Sequence, residues 1–223
     1  MRAVLSIVIP TLNAQEALPV VLSSLMEGLE AGLVRELIVS DGGSRDATRQ
    51  IADEVGAIIV AGSASRGGQL RRGAGIAQGA WLLFLHADTQ LPEGWSATVK
   101  AQIAQGQPAY FGLRFGSDEV VARLVAGWAN LRSRLFHLPY GDQGLLISRI
   151  DYDAVGGFPD IPLMEDVAIA RCLGRRLMRM PGHVTTSAAR FERDGWLLRG
   201  GRNLLLLVRY LCGANPHDLR RRY

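Results

Sequence analysis

The spacing of apolar positions changes along this chain, and each change marks an element. Ala3–Ile9 is a nearly continuous apolar run, the pattern of a strand buried on both faces. Over Gln15–Leu29, the residues Leu18, Val21, Leu22, Leu25 and Met26 recur at three- and four-residue intervals, which predicts a helix with one apolar stripe. Glu36–Ser40 predicts a second strand. Ser44 then stands where an N-cap belongs, with Asp46 in the first turn of a helix running to about Glu54. Ala57–Ala61 predicts a third strand, Ser65–Gln78 a glycine- and arginine-rich loop and helix, and Trp81–Leu85 a fourth strand. Pro92 signals the start of a helix over Glu93–Gln105. Strands alternating with helices at this spacing predict an α/β fold with a mostly parallel central sheet, right-handed crossovers and flanking helices.

Past Pro108 the regularity loosens. Ala109–Phe115 alternates like a strand, Glu119–Leu135 reads as a helix, and Gly144–Ser148 as a short strand. Glu165–Leu173 predicts a further helix and Gly195–Cys212 a longer C-terminal one. No internal repeat and no low-complexity linker interrupts the chain.

Composition narrows the chemistry. The 223 residues are 48% hydrophobic and 21% charged, enough to bury a core within one domain. No apolar stretch approaches the ~20 residues of a membrane span. The apolar N-terminus runs into Pro10 without a small-residue cleavage site, so it is read as a strand and not as a signal peptide. Cys172 and Cys212 lack paired spacing, which argues against a disulfide framework or a cysteine zinc site and points to a reducing cytoplasm. The net charge of +4 rests on arginine, Lys100 being the only lysine. A P-loop has no Gly-Lys pair to use, and a Schiff base would have only Lys100, in an ordinary helical stretch. Arginine forks suit diphosphates, although skewed codon usage also raises arginine content. No nucleic-acid partner is expected.

Two acidic clusters each follow an apolar run: Asp41-Gly42-Gly43-Ser44-Arg45-Asp46 after Glu36–Ser40, and His86-Ala87-Asp88 after Trp81–Leu85. Strand carboxyl ends are where open α/β sheets bind ligands. Asp41 can accept from a ring N–H, its glycines allowing close backbone approach. Asp88 can hold Mg²⁺ or Mn²⁺ against substrate phosphates, or cap the segment before Pro92. Pro10-Thr11-Leu12-Asn13 offers groups to a base or ribose, or forms only a turn and cap. Arg66 and Arg72 either contact a diphosphate or lie in solvent, and the Gly-x-Gly near them does not follow the first strand as a dinucleotide fingerprint must. Glu165-Asp166 opens a helix, where acids are common, but Asp166 over a sugar would be a general base. His137, His183 and His217 show no metal-ligand spacing, and no Gly-x-Ser-x-Gly elbow occurs. Together these point to a nucleotide-sugar ligand.

These residues resemble the family 2 glycosyltransferases of GT-A fold. Ser6–Asn13 is similar to that family's opening strand, Ser40–Asp46 to its Asp-Asp-Gly-Ser-x-Asp signature, Arg72-Gly73-Ala74-Gly75-Ile76 to Arg-Asn-x-Gly, and Leu85–Asp88 to Asp-x-Asp. Gly156-Gly157-Phe158 with Glu165-Asp166 and Arg171 resembles its Gly-Gly-Phe…Glu-Asp…Arg block. The likeness spans roughly residues 4 to 175. His86–Thr89 with Gly141-Asp142-Gln143-Gly144 also resembles the radical-SAM/selenodomain-associated transferase subgroup. The family implies a GT-A type, Rossmann-like domain over 1–223. Residues 1–107 would bind the nucleotide-sugar, 108–194 the acceptor, and 195–223 would form a helical extension and tail. It implies a uridine pocket at Thr11, base recognition by Asp41, donor contacts at Pro10, Asn13, Arg66, Arg72, His86 and Ala87, and metal at Asp88. Asp166, beside Glu165, would be the base of an inverting transfer. Asp142, Gln143 and Trp196 fall on the acceptor side, the acceptor being a hydroxyl of a small or lipid-linked molecule. Ser40 and His86 replace acids of the family pattern. The Gln-x-x-Arg-Trp of processive synthases is missing, Arg193–Trp196 being a faint echo, which implies transfer of a single sugar. A silent nucleotide-binding or scaffold protein and a nucleotidylyltransferase are the alternatives.

In the last helix Leu197, Leu204, Leu205, Val208, Leu211 and Cys212 share a face, with Arg199, Arg202 and Arg209 on another and Arg220-Arg221-Arg222 beyond. Either the apolar face docks on the domain with arginines in water, or this basic amphipathic helix lies on an anionic membrane surface at the inner face of the membrane.

Overall fold

The computed structural model describes residues 3–221, so Arg222 at the end of the basic tail lies outside the described residues. Its first half runs β1 (Leu5–Thr11), α1 (Leu18–Glu30), β2 (Val34–Asp41), α2 (Thr48–Glu54), β3 (Ile58–Ala61), α3 (Arg66–Ile76), β4 (Trp81–Phe84), β5 (Thr89–Gln90) and α4 (Trp95–Gln105). The second half runs β6 (Ala109–Phe115), α5 (Val120–Phe136), β7 (Leu145–Ser148), α6 (Arg149–Ala154), α7 (Glu165–Leu173), β8 (Met178–Thr186), α8 (Ala189–Asp194), α9 (Trp196–Leu211) and α10 (Pro216–Arg220).

One sheet holds all eight strands in the order β3-β2-β1-β4-β7-β6-β8-β5. The pairings among β3, β2, β1 and β4 are parallel, as is β6 with β8, whereas β7 pairs antiparallel with β4 and β6, and β5 with β8. This is an α/β fold with a mostly parallel central sheet flanked by helices. Strand residues alternate between its faces, and that alternation builds two cores. Leu5, Ile7, Ile9, Leu83 and Leu85 join a cluster covered by α1, α4 and α5, while Val8, Leu82 and Phe84 join one covered by α3, α6 and α7. The buried stripe of α1 continues from Leu25 to Gly28, on which the Trp95 indole lies, so Met26 is exposed and not buried as its spacing suggested.

Three further expectations change. α2 starts at Thr48 and not after Ser44, because the Ser44 hydroxyl is bound to the Asp41 carboxylate instead of capping a helix. Asp46 accepts from the Thr48 and Gln15 backbone N–H groups. β8 was not legible: Pro181-Gly182 breaks the run, and the register against β6 shifts between Tyr110 and Gly112 where they fall. Third, α9 docks through Trp196, Arg199, Leu206 and Leu207, and the stripe from Leu197 to Leu211 faces outward. The docked-stripe reading is therefore reversed.

Candidate active site

The carboxyl ends of β1 and β4 set one wall of the site. Asp41, at the end of β2, has no exposed surface. Its Oδ1 accepts from Thr11 Oγ1 (3.1 Å) and from Ser44 Oγ, and its Oδ2 from the backbone N–H groups of Gly43 and Ser44 at 2.9 Å each. Burial raises its pKa, but the Ser44, Gly43 and Thr11 hydrogen bonds outweigh this and hold it below the usual range. With its acceptor positions filled from within, Asp41 organises the loop behind Thr11 and has none free for a base. The loop is tied across to β1 as well: Asn13, at φ 50°, donates its N–H to Ser44 Oγ and accepts the Arg45 N–H on Oδ1. Gln69 of α3 ties both strands from below, its Nε2 donating to the carbonyls of Thr11 (2.7 Å) and Ser40 (2.9 Å).

A polar cleft with about 1160 Å³ of empty space, open solvent included, runs along this edge, lined by Pro10–Ala14, Arg66, His86, Ala87, Asp88 and Arg190 among others. Arg72 is not part of it. Its guanidinium lies against Gly62 and reaches the Asp41 and Ser63 carbonyls at 3.4 Å, which corrects its assignment as a diphosphate contact.

A second cleft of about 1090 Å³, measured the same way, opens between α5 and α9. Its walls are largely apolar, with Phe115, Val125, Trp128, Leu163, Phe191 and Leu204, and its polar groups include Arg132, Asp142, Asp166 and Asn203. The two clefts share Arg66, His86, Asp88, Leu163 and Arg190. This junction is assembled from distant segments. β5 pairs with β8 through Thr89 opposite Thr186, and the Ser187 N–H donates to the Asp88 carbonyl at 3.3 Å. α8 therefore starts beside Asp88 and delivers Arg190.

His86 sits at the junction with Nε2 buried and unpartnered; burial, then the Arg66 and Arg190 charges, hold its pKa well below the usual value, so the ring is neutral. Gly141 leaves it room, since a Cβ there would lie 2.5 Å from that nitrogen. The neighbouring Asp142 has an unpartnered Oδ1. Burial pushes its pKa up to about 6, opposed by Arg132 and assisted by the Asp166 and Asp88 charges.

Asp166 and Glu165 open α7 from Met164, a non-glycine residue at φ 67°. The Asp166 carboxylate is fixed by the Gly141 and Val167 N–H groups, both at 2.7 Å, and it lines the apolar cleft. Glu165 differs. It is fully buried, lines no described cleft and lies 3.5 Å from Arg66 Nε. Burial, then the Asp166 charge, pushes its pKa up to about 7 against the opposing Arg66. Glu165 thus anchors Arg66 and does not touch a substrate, correcting its place among the catalytic groups.

Of the three residues expected on the acceptor side, Asp142 lines the apolar cleft, whereas Gln143 and Trp196 do not. Gln143 is fully buried, its Oε1 accepting from Ser133 Oγ (2.6 Å) and the Tyr140 N–H, and its Nε2 donating to the Phe111 carbonyl. Trp196 packs in an aromatic cluster with Phe115 and Phe191 and anchors α9. Arg190, Arg132 and Trp128 were missed. Arg132 was detectable only as a buried-face position of α5, where it stacks on Tyr140.

Among the described residues no group of three His, Cys, Asp or Glu side chains could hold a metal ion. A hard cation beside a nucleotide needs fewer protein ligands, since one or two carboxylates and the phosphates suffice. Asp88 meets that requirement, and the orphaned Asp142 Oδ1 shares its cleft. The donor set fits a cation held jointly with a diphosphate.

The eight-stranded sheet with a ligand-sized junction at its strand ends defines the class as a GT-A type α/β protein. The chain belongs to glycosyl transferase family 2, which its residues 6–154 match. PGL/p-HBAD biosynthesis glycosyltransferases of Mycobacterium bovis and Mycobacterium tuberculosis are 37% identical over 134 residues, covering 57% of this chain and 49% of theirs, so the chain spans about half the length of these relatives. Among solved structures, Staphylococcus aureus TarS 1–349 in complex with UDP superposes with TM-score 0.61 at 14% identity, covering 82% of this chain and 60% of that one. Mycobacterium tuberculosis glucosyl-3-phosphoglycerate synthase with Mn²⁺, UDP and phosphoglyceric acid does so with TM-score 0.57 at 22% identity, covering 82% and 69%. No helix among the described residues is long and apolar enough to cross a membrane.

Proposed function

We propose that this protein is an inverting glycosyltransferase that moves one sugar from a nucleoside-diphosphate sugar, UDP-linked, to a hydroxyl acceptor. The observation that carries this reading is the meeting of a polar and an apolar cleft at Arg66, His86, Asp88 and Arg190. The nucleoside lies along Pro10–Ala14, where rigid backbone shapes the wall. Arg66 and Arg190 bind the diphosphate at the junction, their forks suited to paired phosphate oxygens. A divalent cation, held by Asp88 with the diphosphate, would supply charge neutralisation on the leaving group. Neutral His86 adds no charge beside the arginines.

The acceptor enters the apolar cleft with its hydroxyl at Asp166. That carboxylate is oriented by two backbone N–H groups and takes the hydroxyl proton as the acceptor oxygen bonds to the anomeric carbon. The bond from that carbon to the diphosphate oxygen breaks, and the nucleoside diphosphate leaves with the electron pair. Attack opposite the leaving group inverts the configuration. The neighbouring solved structures that hold UDP, one of them with Mn²⁺, support this donor and cation.

The test is incubation with a panel of nucleotide-sugars, with and without Mn²⁺, following release of free nucleoside diphosphate. Slow donor hydrolysis that needs the cation and is strongest for a UDP-sugar is expected. No release from any donor would favour a silent binder on this fold.

A further inference from the structure

The outer face of α5 and α9 is where this molecule departs most from an ordinary soluble surface. Of the twenty-one exposed large apolar side chains among the described residues, twelve lie on these two helices. On α5 they include Leu124 (68% exposed) and Phe136 (62%), and on α9 Leu197 (78%) and Leu198 (74%). Scattered exposed leucines need no explanation, but a contiguous apolar face does. The two helices touch each other, and the apolar cleft opens between them. Trp128 and Leu204 belong both to the exposed face and to the lining of that cleft.

Charge selects the occupant. Neither Val120–Phe136 nor Trp196–Leu211 contains an acidic residue, whereas Arg123, Arg134 and Arg202 are exposed on these helices and Arg209 is half-buried. A second copy of the chain would set arginines against arginines, which disfavours self-association through this face. An anionic bilayer offers both complements: an acyl boundary for leucine, phenylalanine and tryptophan, and headgroup charge for the arginines. Neither helix spans. Both would lie in the interface plane.

We propose that the α5–α9 face docks on an anionic phospholipid bilayer, so that the apolar cleft opens toward the lipid and the acceptor is an amphiphile drawn from it. The docking face stands on exposure and charge alone; the acceptor class rests on the glycosyltransferase reading above. The mouth formed by Trp128 and Leu204 admits the apolar part of the acceptor, and its hydroxyl end reaches Asp166 without the molecule leaving the interface.

The test is flotation of the whole chain with vesicles of phosphatidylcholine alone and of phosphatidylcholine with phosphatidylglycerol. Binding is expected only to the anionic vesicles and should fall as salt rises, because the arginine contribution is screened. The double variant Leu124→Ser/Leu205→Ser, at two exposed positions outside the cleft, should weaken partitioning about tenfold or more while circular dichroism and UDP affinity stay unchanged. Failure of the wild-type chain to float overturns the docking face, as does undiminished flotation of the double variant. A concentration-dependent dimer disrupted by the same substitutions would assign the face to a second copy and likewise overturn it. Normal vesicle binding without UDP binding would leave the docking face standing and sink the transferase reading, so the two failures are distinguishable. With both in place, preference for a water-soluble acceptor over a vesicle-embedded one would overturn the acceptor class.

Discussion

The two clefts that meet at Asp88 are built on opposite principles. On the polar side, strand ends and tight loops make a wall whose side chains mostly serve one another: Asp41 is spent on Thr11, Gly43 and Ser44, and Gln69 on two carbonyls. Shape there is held by backbone, with few groups left to tune. On the apolar side, helices α5 and α9 present side chains directly, so the cleft's chemistry follows from Trp128, Arg132 and Leu204, none of which belongs to the sheet.

Substitutions on either side sharpen this contrast. Asp166→Asn should have the largest effect, lowering kcat about 10²–10⁴-fold with nucleotide affinity unchanged, as steady-state kinetics and calorimetry will show. Arg190→Ala removes a charged contact at the junction and should weaken UDP binding about tenfold to a hundredfold by titration calorimetry. Trp128→Ala should raise the acceptor KM about tenfold and leave the donor KM alone, because its ring lines only the apolar cleft. An equal rise in both would erase the division between the clefts.

The smallest effect is on stability. The Glu165 carboxyl has its pKa raised from 4.5 to about 7 on folding. The unfolded chain therefore releases this proton first as pH rises. The stability contribution is complete below about 4.5 and lost by about 7, with Asp142, raised to about 6, acting in the same direction. His86 and His183, held below their usual range, act in the opposite direction, so the readout is a difference: between pH 5 and pH 8 the wild type should lose about 5 °C more in Tm than Glu165→Gln in thermal melts. Unchanged slope in the variant would place the charge elsewhere.

The same contrast governs what the sequence could reveal. Thr11, Asn13 and Asp88 were legible because short apolar runs end just before them, and a parallel sheet delivers strand ends to one edge. Asp88 and Asp166 do share one cleft, while Asp41 lies beneath Thr11. Arg190 was not legible: it sits in a six-residue helix and is carried to Asp88 by β8, whose Pro181-Gly182 hides the strand period. Gln143 and Trp196 had suitable chemistry, but burial spent both on packing. For α9, periodicity marked the leucine stripe but not its side, because spacing records which residues share a face and not which face meets the domain.

The most direct measurement is calorimetric titration of UDP into the wild-type chain and into Asp88→Ala, each with and without Mn²⁺. UDP binding that tightens markedly with Mn²⁺ in the wild type, and loses that dependence when Asp88 is removed, is the predicted result. Binding indifferent to both the cation and the substitution would contradict a diphosphate-and-cation junction at Asp88.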